Sequence, residues 1–227
     1  MINWEIAYIL IGYIGDKDLI HKITLSPGTN YIVLESTGYW DYTHEMGNYI
    51  ITYSTRQALT YKNATLHSAV VTYTGKVRNS TVIVKDNYGK RLVKGKDYTV
   101  YVPSGRRNIG TYTYKIVFKG NYKGTVKKVF KIVPAATRLT KAVDTYSGVK
   151  LVWSRSSSAS GYLIYRSTDG GSYKRIKGIT SWRTGAYIDR SATSSWTTYS
   201  YKVYVYKKVN GKTYISPASA SKSVYVY

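Results

Sequence analysis

The sequence contains no cysteine, so neither disulfides nor thiolate-bound metals can support the fold. Histidine is scarce, with only His21, His44 and His67, and no pair of them has the spacing of a zincin helix. Acidic residues number 11 against 34 Lys and Arg, and residues 58–227 hold only five acids. A hydrolase built there would lack paired carboxylates for general acid–base work. No Gly-x-Ser-x-Gly elbow, phosphate-cradling loop or dinucleotide fingerprint occurs. These absences lead us to expect no enzyme activity, no cofactor and no metal. No apolar run approaches the length of a membrane span. The start lacks a basic region, and its apolar run from Ile6 to Ile14 is broken by tyrosine and glycine, so no secretory signal is expected.

Tyrosine and positive charge are abundant instead. There are 27 Tyr against 2 Phe. Tyrosine suits strands with one wet face, because its ring packs while its hydroxyl stays hydrated. The net charge of +23 is uneven. Residues 1–57 hold 3 Lys and Arg against 6 acids; residues 58–134 hold 16 against 2; residues 135–227 hold 15 against 3. The basic part should attract polyanions through a salt-dependent field. Teichoic acid, acidic polysaccharide, nucleic acid and anionic membrane are all candidates. A solvated lysine surface that only keeps the protein soluble is the plainer alternative.

Alternating apolar and polar residues separated by Gly, Asn and Asp predict strands throughout, and no helix. The expected class is all-β: a small N-terminal β-unit over 1–57, then two tandem β-sandwiches over 58–134 and 135–227. In the first segment strands are predicted at 4–13, 20–25, 31–35 and 48–53. In the second they fall at 81–85 and 90–93 around a tight turn at 86–89, then at 95–102, 111–118 and 126–133. A short hinge at 134–137 should hold the two sandwiches end to end. In the third segment, Asn210 and Gly211 mark a hairpin.

Two resemblances rest on particular residues. The run Val149 to Trp153, then Gly161, Tyr162, Ile164, Tyr165 and Arg166, then Tyr199, Tyr201, Val203 and Val205, resembles a fibronectin type III domain over about 135–227. The resemblance implies a buried Trp153, and a Tyr199 whose hydroxyl bonds back to the backbone. Trp196 departs from the pattern, since a small or turn residue is commoner there, and Trp182 is also unexpected. Tyr73 to Lys76, Lys94 to Tyr98, Asn108 to Thr111 and Lys119 to Val126, ending at Phe130 to Pro134, resemble the immunoglobulin-like repeat of Gram-positive surface proteins. Such modules imply a spacer, display or adhesion role outside the bacterial cell or on a phage virion.

Candidate contacts follow from this reading. If Tyr162, Ile164, Tyr201, Val203, Val205, Val224 and Val226 face inward, then Tyr165, Tyr204, Tyr206, Tyr225 and Tyr227 form one wet face for a glycan or protein partner. The plainer reading is that Tyr is simply a good exposed strand residue. Tyr39, Trp40 and Tyr42 make a second aromatic cluster, while Asp41, His44 and Glu45 beside it read as a solvated turn. Arg106, Arg107, Lys123, Lys127 and Lys128 are candidate contacts for phosphate or carboxylate groups. The favoured function is a non-enzymatic accessory virion protein whose acidic N-terminal segment docks on the particle and whose basic sandwiches meet anionic wall polymer or glycan. A fragment of a bacterial surface adhesin is the alternative. Residues 1–57 are expected to bind other virion or cell-surface proteins. Membrane insertion is not expected, and a homo-oligomer is left open. Nucleic-acid binding is a third reading, disfavoured for want of a recognition helix, RNA-binding sheet signature or zinc module.

Overall fold

The computed structural model describes residues 56–227 and the two strands Ile9–Ile11 and Leu19–His21. The strands in chain order are β1 (Ile9–Ile11), β2 (Leu19–His21), β3 (Gln57–Ala58), β4 (Ala64–Leu66), β5 (Val70–Thr72), β6 (Val82–Val84), β7 (Tyr98–Tyr101), β8 (Gly110–Phe118), β9 (Tyr122–Lys123) and β10 (Thr125–Val133). They continue as β11 (Leu139–Thr145), β12 (Gly148–Trp153), β13 (Gly161–Thr168), β14 (Lys174–Ile179), β15 (Ala186–Asp189), β16 (Thr197–Val209), β17 (Lys212–Ile215) and β18 (Lys222–Val226). One short 3-10 turn, Tyr61–Asn63, is the only helical element among the described residues. The described residues are all-β, as the alternation predicts.

The chain forms two compact units. One comprises Met1–Ala64, Val84–Val100 and Ile116–Val126; the other comprises Thr65–Ile83, Tyr101–Lys115 and Lys127–Tyr227. In the first, β1 and β2 pair antiparallel, with Leu10 opposite Ile20. The parallel pair β3–β9 follows, and Leu59 N–H donates to Lys123 O at 2.9 Å. The predicted turn at 86–89 is present: Asp86 Oδ1 accepts from the backbone N–H groups of Tyr88 and Lys90, both at 2.9 Å. The strand expected at 90–93 reduces to a bridge between Lys85 and Arg91. The strand expected from Gly95 starts later, at Tyr98. Asp97 Oδ2 accepts from Val93 N–H at 2.8 Å, so the chain is still turning there.

In the second unit, Leu139, Val149, Leu151, Trp153, Tyr162, Ile164, Tyr199, Tyr201, Val203, Val205 and Val226 make one core. They come from two sheets, β11-β12-β15 and β14-β13-β16-β17 with β18 paired to β16, so the arrangement is sandwich-like. The inward residues expected on β13 and β16 are all buried. Trp153 is buried against the Tyr162 ring, 5.4 Å between centroids. Tyr199 is buried, and its hydroxyl accepts from Ser194 N–H at 3.4 Å. Asn210 (φ 47°) and Gly211 (φ 74°) both take the left-handed region, which a tight hairpin turn with the strands' own twist requires.

Three features were not anticipated. Strands β4 and β5 are too short for periodicity to reveal. The pairing of β5 with β10 is parallel, with Val71 opposite Ile132. Finally, the connection at 134–137 is no bare linker. Pro134 is buried, and Ile109, Val133 and Tyr214 form a small core with Tyr73 and Val209. The Thr111 and Tyr214 hydroxyls hydrogen-bond at 3.0 Å.

Candidate functional site

The basic turn at 104–108 is the best-built surface feature among the described residues. Gly105 has φ 76°, which lets Arg107 N–H and Asn108 N–H both turn back onto Gly105 O, at 2.6 and 3.1 Å. From β8, the Tyr112 hydroxyl reaches the carbonyls of Gly105 at 2.7 Å and Asn108 at 2.8 Å. Burial raises the pKa of this hydroxyl, so it remains a donor. Arg106 is tied at its Nε, which donates to Asn79 Oδ1 at 3.0 Å. Its carbonyl accepts from Arg78 N–H at 2.9 Å.

Val77, Ser104, Gly105, Arg106, Arg107 and Asn108 line an open concavity of about 430 Å³. Residues 65–83 and 101–115, which supply this lining, contain Lys76, Arg78, Arg106, Arg107 and Lys115 but no Asp or Glu. The Nε of Arg78 is buried without a hydrogen-bond partner. A guanidinium held at Nε still presents its two terminal nitrogens, the fork that grips phosphate or carboxylate oxygens. Without a carboxylate among the lining residues to neutralise it, the concavity suits an anion.

The other predicted cations are not gathered there as one patch. Lys127 is exposed on β10, but Lys128 is 7% exposed and corrects the expectation of a surface contact. The cause is strand parity: Lys128 shares its side with buried Val126, Phe130 and Ile132. Lys123 is half-buried on β9.

The expected single face of five tyrosines is also corrected. Tyr165 and Tyr204 do meet, at 4.9 Å between centroids, edge to face. Beside them Lys202 Nζ lies 4.1 Å over the Tyr173 ring. Tyr206 is only 7% exposed, because it lies opposite Gly161, whose missing side chain leaves room for the ring. Tyr225 lies opposite Thr198, six residues from Tyr204 and so about 20 Å away along β16. Tyr225 and Tyr227 instead pair with each other at 5.0 Å, and Tyr227 also meets Trp196 at 6.5 Å. The signal for Trp196 in the sequence was its departure from the fibronectin pattern. Tyr39, Trp40 and Tyr42, with Asp41, His44 and Glu45, lie outside the described residues.

Asp189 is the centre of a buried network. Its carboxylate accepts from Ser191 Oγ at 2.7 Å, Tyr201 OH at 2.9 Å and Arg166 Nη1 at 2.9 Å. Burial alone would raise its pKa. The hydrogen bonds from Ser191, Tyr201 and Arg166, with the charge of Arg166, outweigh that and hold it below its ordinary value. Burial, and then the Asp189 charge, push Tyr201 far above the usual tyrosine range, so Tyr201 stays protonated and donates. The satisfied carboxylate is a structural anchor between β13, β15 and β16. Compared with known proteins, the chain matches no family model and no curated protein.

Proposed function

We propose that this chain is a non-enzymatic display and adhesion protein that holds an anionic polymer, such as a wall teichoic acid, in the concavity at 104–108. The observation that carries this reading is the pinned Arg106 beside Arg107, in a 430 Å³ concavity whose two supplying segments hold five cations and no acid. The finer assignment is an immunoglobulin-like module followed by a fibronectin type III module. For the latter, the partition of the strands over 139–226 into two sheets around buried Trp153 and Tyr199 supports it. Those modules suit a virion or a bacterial cell surface.

The test is retention of the protein on immobilised teichoic acid across a salt series. Arg106→Gln with Arg107→Gln should weaken binding by about a hundredfold or more, since each lost charge-assisted hydrogen bond counts for about 1.5 kcal/mol or more. It should also flatten the salt dependence. The control is Lys141→Gln with Lys150→Gln, which removes the same charge from exposed positions elsewhere. Equal losses in the two pairs would mean a diffuse field and no site. Tighter retention by duplex DNA at equal phosphate and salt would replace the polymer reading with nucleic-acid binding.

A further inference from the structure

Trp196 is the least expected side chain of the described residues. Its φ is 62°, a left-handed backbone that bulky residues avoid and that glycine or asparagine would adopt more readily. Its N–H is fixed to Val226 O at 2.7 Å, so the conformation is set by the β16–β18 pairing. The ring is nevertheless 75% exposed and adds little to the core. A strained position that keeps a large exposed aromatic residue points to a use for the ring.

The ring has company. Tyr227 is 81% exposed and stands at 72° to Trp196 and 87° to Tyr225. Rings so crossed do not form one flat apolar surface; they form a stepped corner. Its rim is polar. Ser195 Oγ donates to Tyr227 O, and Thr197 Oγ1 donates to Ser195 O. The Ser200 and Ser223 hydroxyls meet at 2.7 Å. Thr198, opposite Tyr225 on β18, turns its N–H the other way, to Asp169 Oδ1 at 2.8 Å on the β13 side of β16.

Aromatic faces beside hydroxyls match the two sides of a sugar: C–H faces that stack, and hydroxyls that hydrogen-bond. None of the side chains named is a cation that could hold a phosphate or uronate. We propose that Trp196, Tyr225 and Tyr227 form a stacking site for an uncharged pyranose unit. This site is separate from the anion concavity.

The test titrates the full chain with cellotetraose and with chitotetraose, by calorimetry and tryptophan fluorescence. The expected result is saturable binding of at least one of them that does not weaken as salt rises. Trp196→Asn should weaken it at least about tenfold. The melting temperature should not fall, because asparagine tolerates the left-handed backbone. Tyr227→Thr provides a second variant that leaves that backbone alone and should also weaken binding. The Arg106, Arg107 double variant should bind the sugar as before, which separates failure here from failure of the anion site. Saturable binding of neither probe, or undiminished binding in both aromatic variants, would overturn the proposal. So would a dimer that Trp196→Asn converts to monomers with no effect of sugar, since the rings would then serve contact between copies.

Discussion

Asp189→Ala should cost about 3 to 5 kcal/mol of stability, read as a shifted denaturant midpoint, because it strips one partner from a buried ion pair. Asp189 is 2% exposed, and three side chains from three places in the chain converge on it. Removing it leaves the Arg166 charge without its counterion. It also leaves the Tyr201 hydroxyl, on a fully buried side chain, without an acceptor. The pH dependence carries the same signature. The folded pKa of Asp189 lies below its ordinary value of 3.8. Its contribution is therefore complete at neutral pH, and it is lost as pH falls from about 3.8 through the lower folded value. Asp189→Asn should flatten the acid limb of the stability curve. An acid limb unchanged in that variant would show that other carboxylates govern acid unfolding.

Gly161→Ala should destabilise by about 3 kcal/mol through overpacking, although it adds only one methyl group. A Cβ there would lie 1.8 Å from Ile179 O and 2.9 Å from the Tyr206 ring. The obstacle is the β14 backbone, paired to β13 at Tyr162 and Ile179, so a rotamer change cannot relieve it. The contrast is Gly178→Ala on the neighbouring strand, where the nearest atom to a new Cβ is Leu163 Cδ2 at 3.9 Å. That change should be neutral or stabilising by about 0.5 kcal/mol, since glycine within a strand is itself unfavourable. Thermal melts of the two single variants decide this. Equal melting temperatures would mean that β14 shifts at no cost.

The same glycine shows where sequence reading reached its limit. Its place beside Tyr162 and Ile164 marked a strand with two inward residues, and both are buried. Nothing local showed that Tyr206, 45 residues on, would lie opposite Gly161 and be covered. Lys128 is a different kind of miss. Val126, Phe130 and Ile132 display its parity in the sequence, while the charge it shares with Lys123 and Lys127 carries no information about which side it faces. The anion concavity was half legible. Arg106 and Arg107 were visible as a basic turn, but their fixing by Tyr112 and Asn79 was not. Trp196 stood out only as a departure, and its strain and ring partners appear only in three dimensions.

The sequence by itself determined that the described chain is built of strands, which sides of β13 and β16 face inward, where the 210–211 hairpin turns, and how strongly positive the molecule is. Those properties follow from a repeat of two residues and from turn chemistry, both local to the chain. Only the tertiary structure decided which tyrosines meet, which lysine is buried, and which charges are balanced. Those outcomes depend on register between strands far apart in sequence, where one missing side chain can cover a ring and one carboxylate can join three strands.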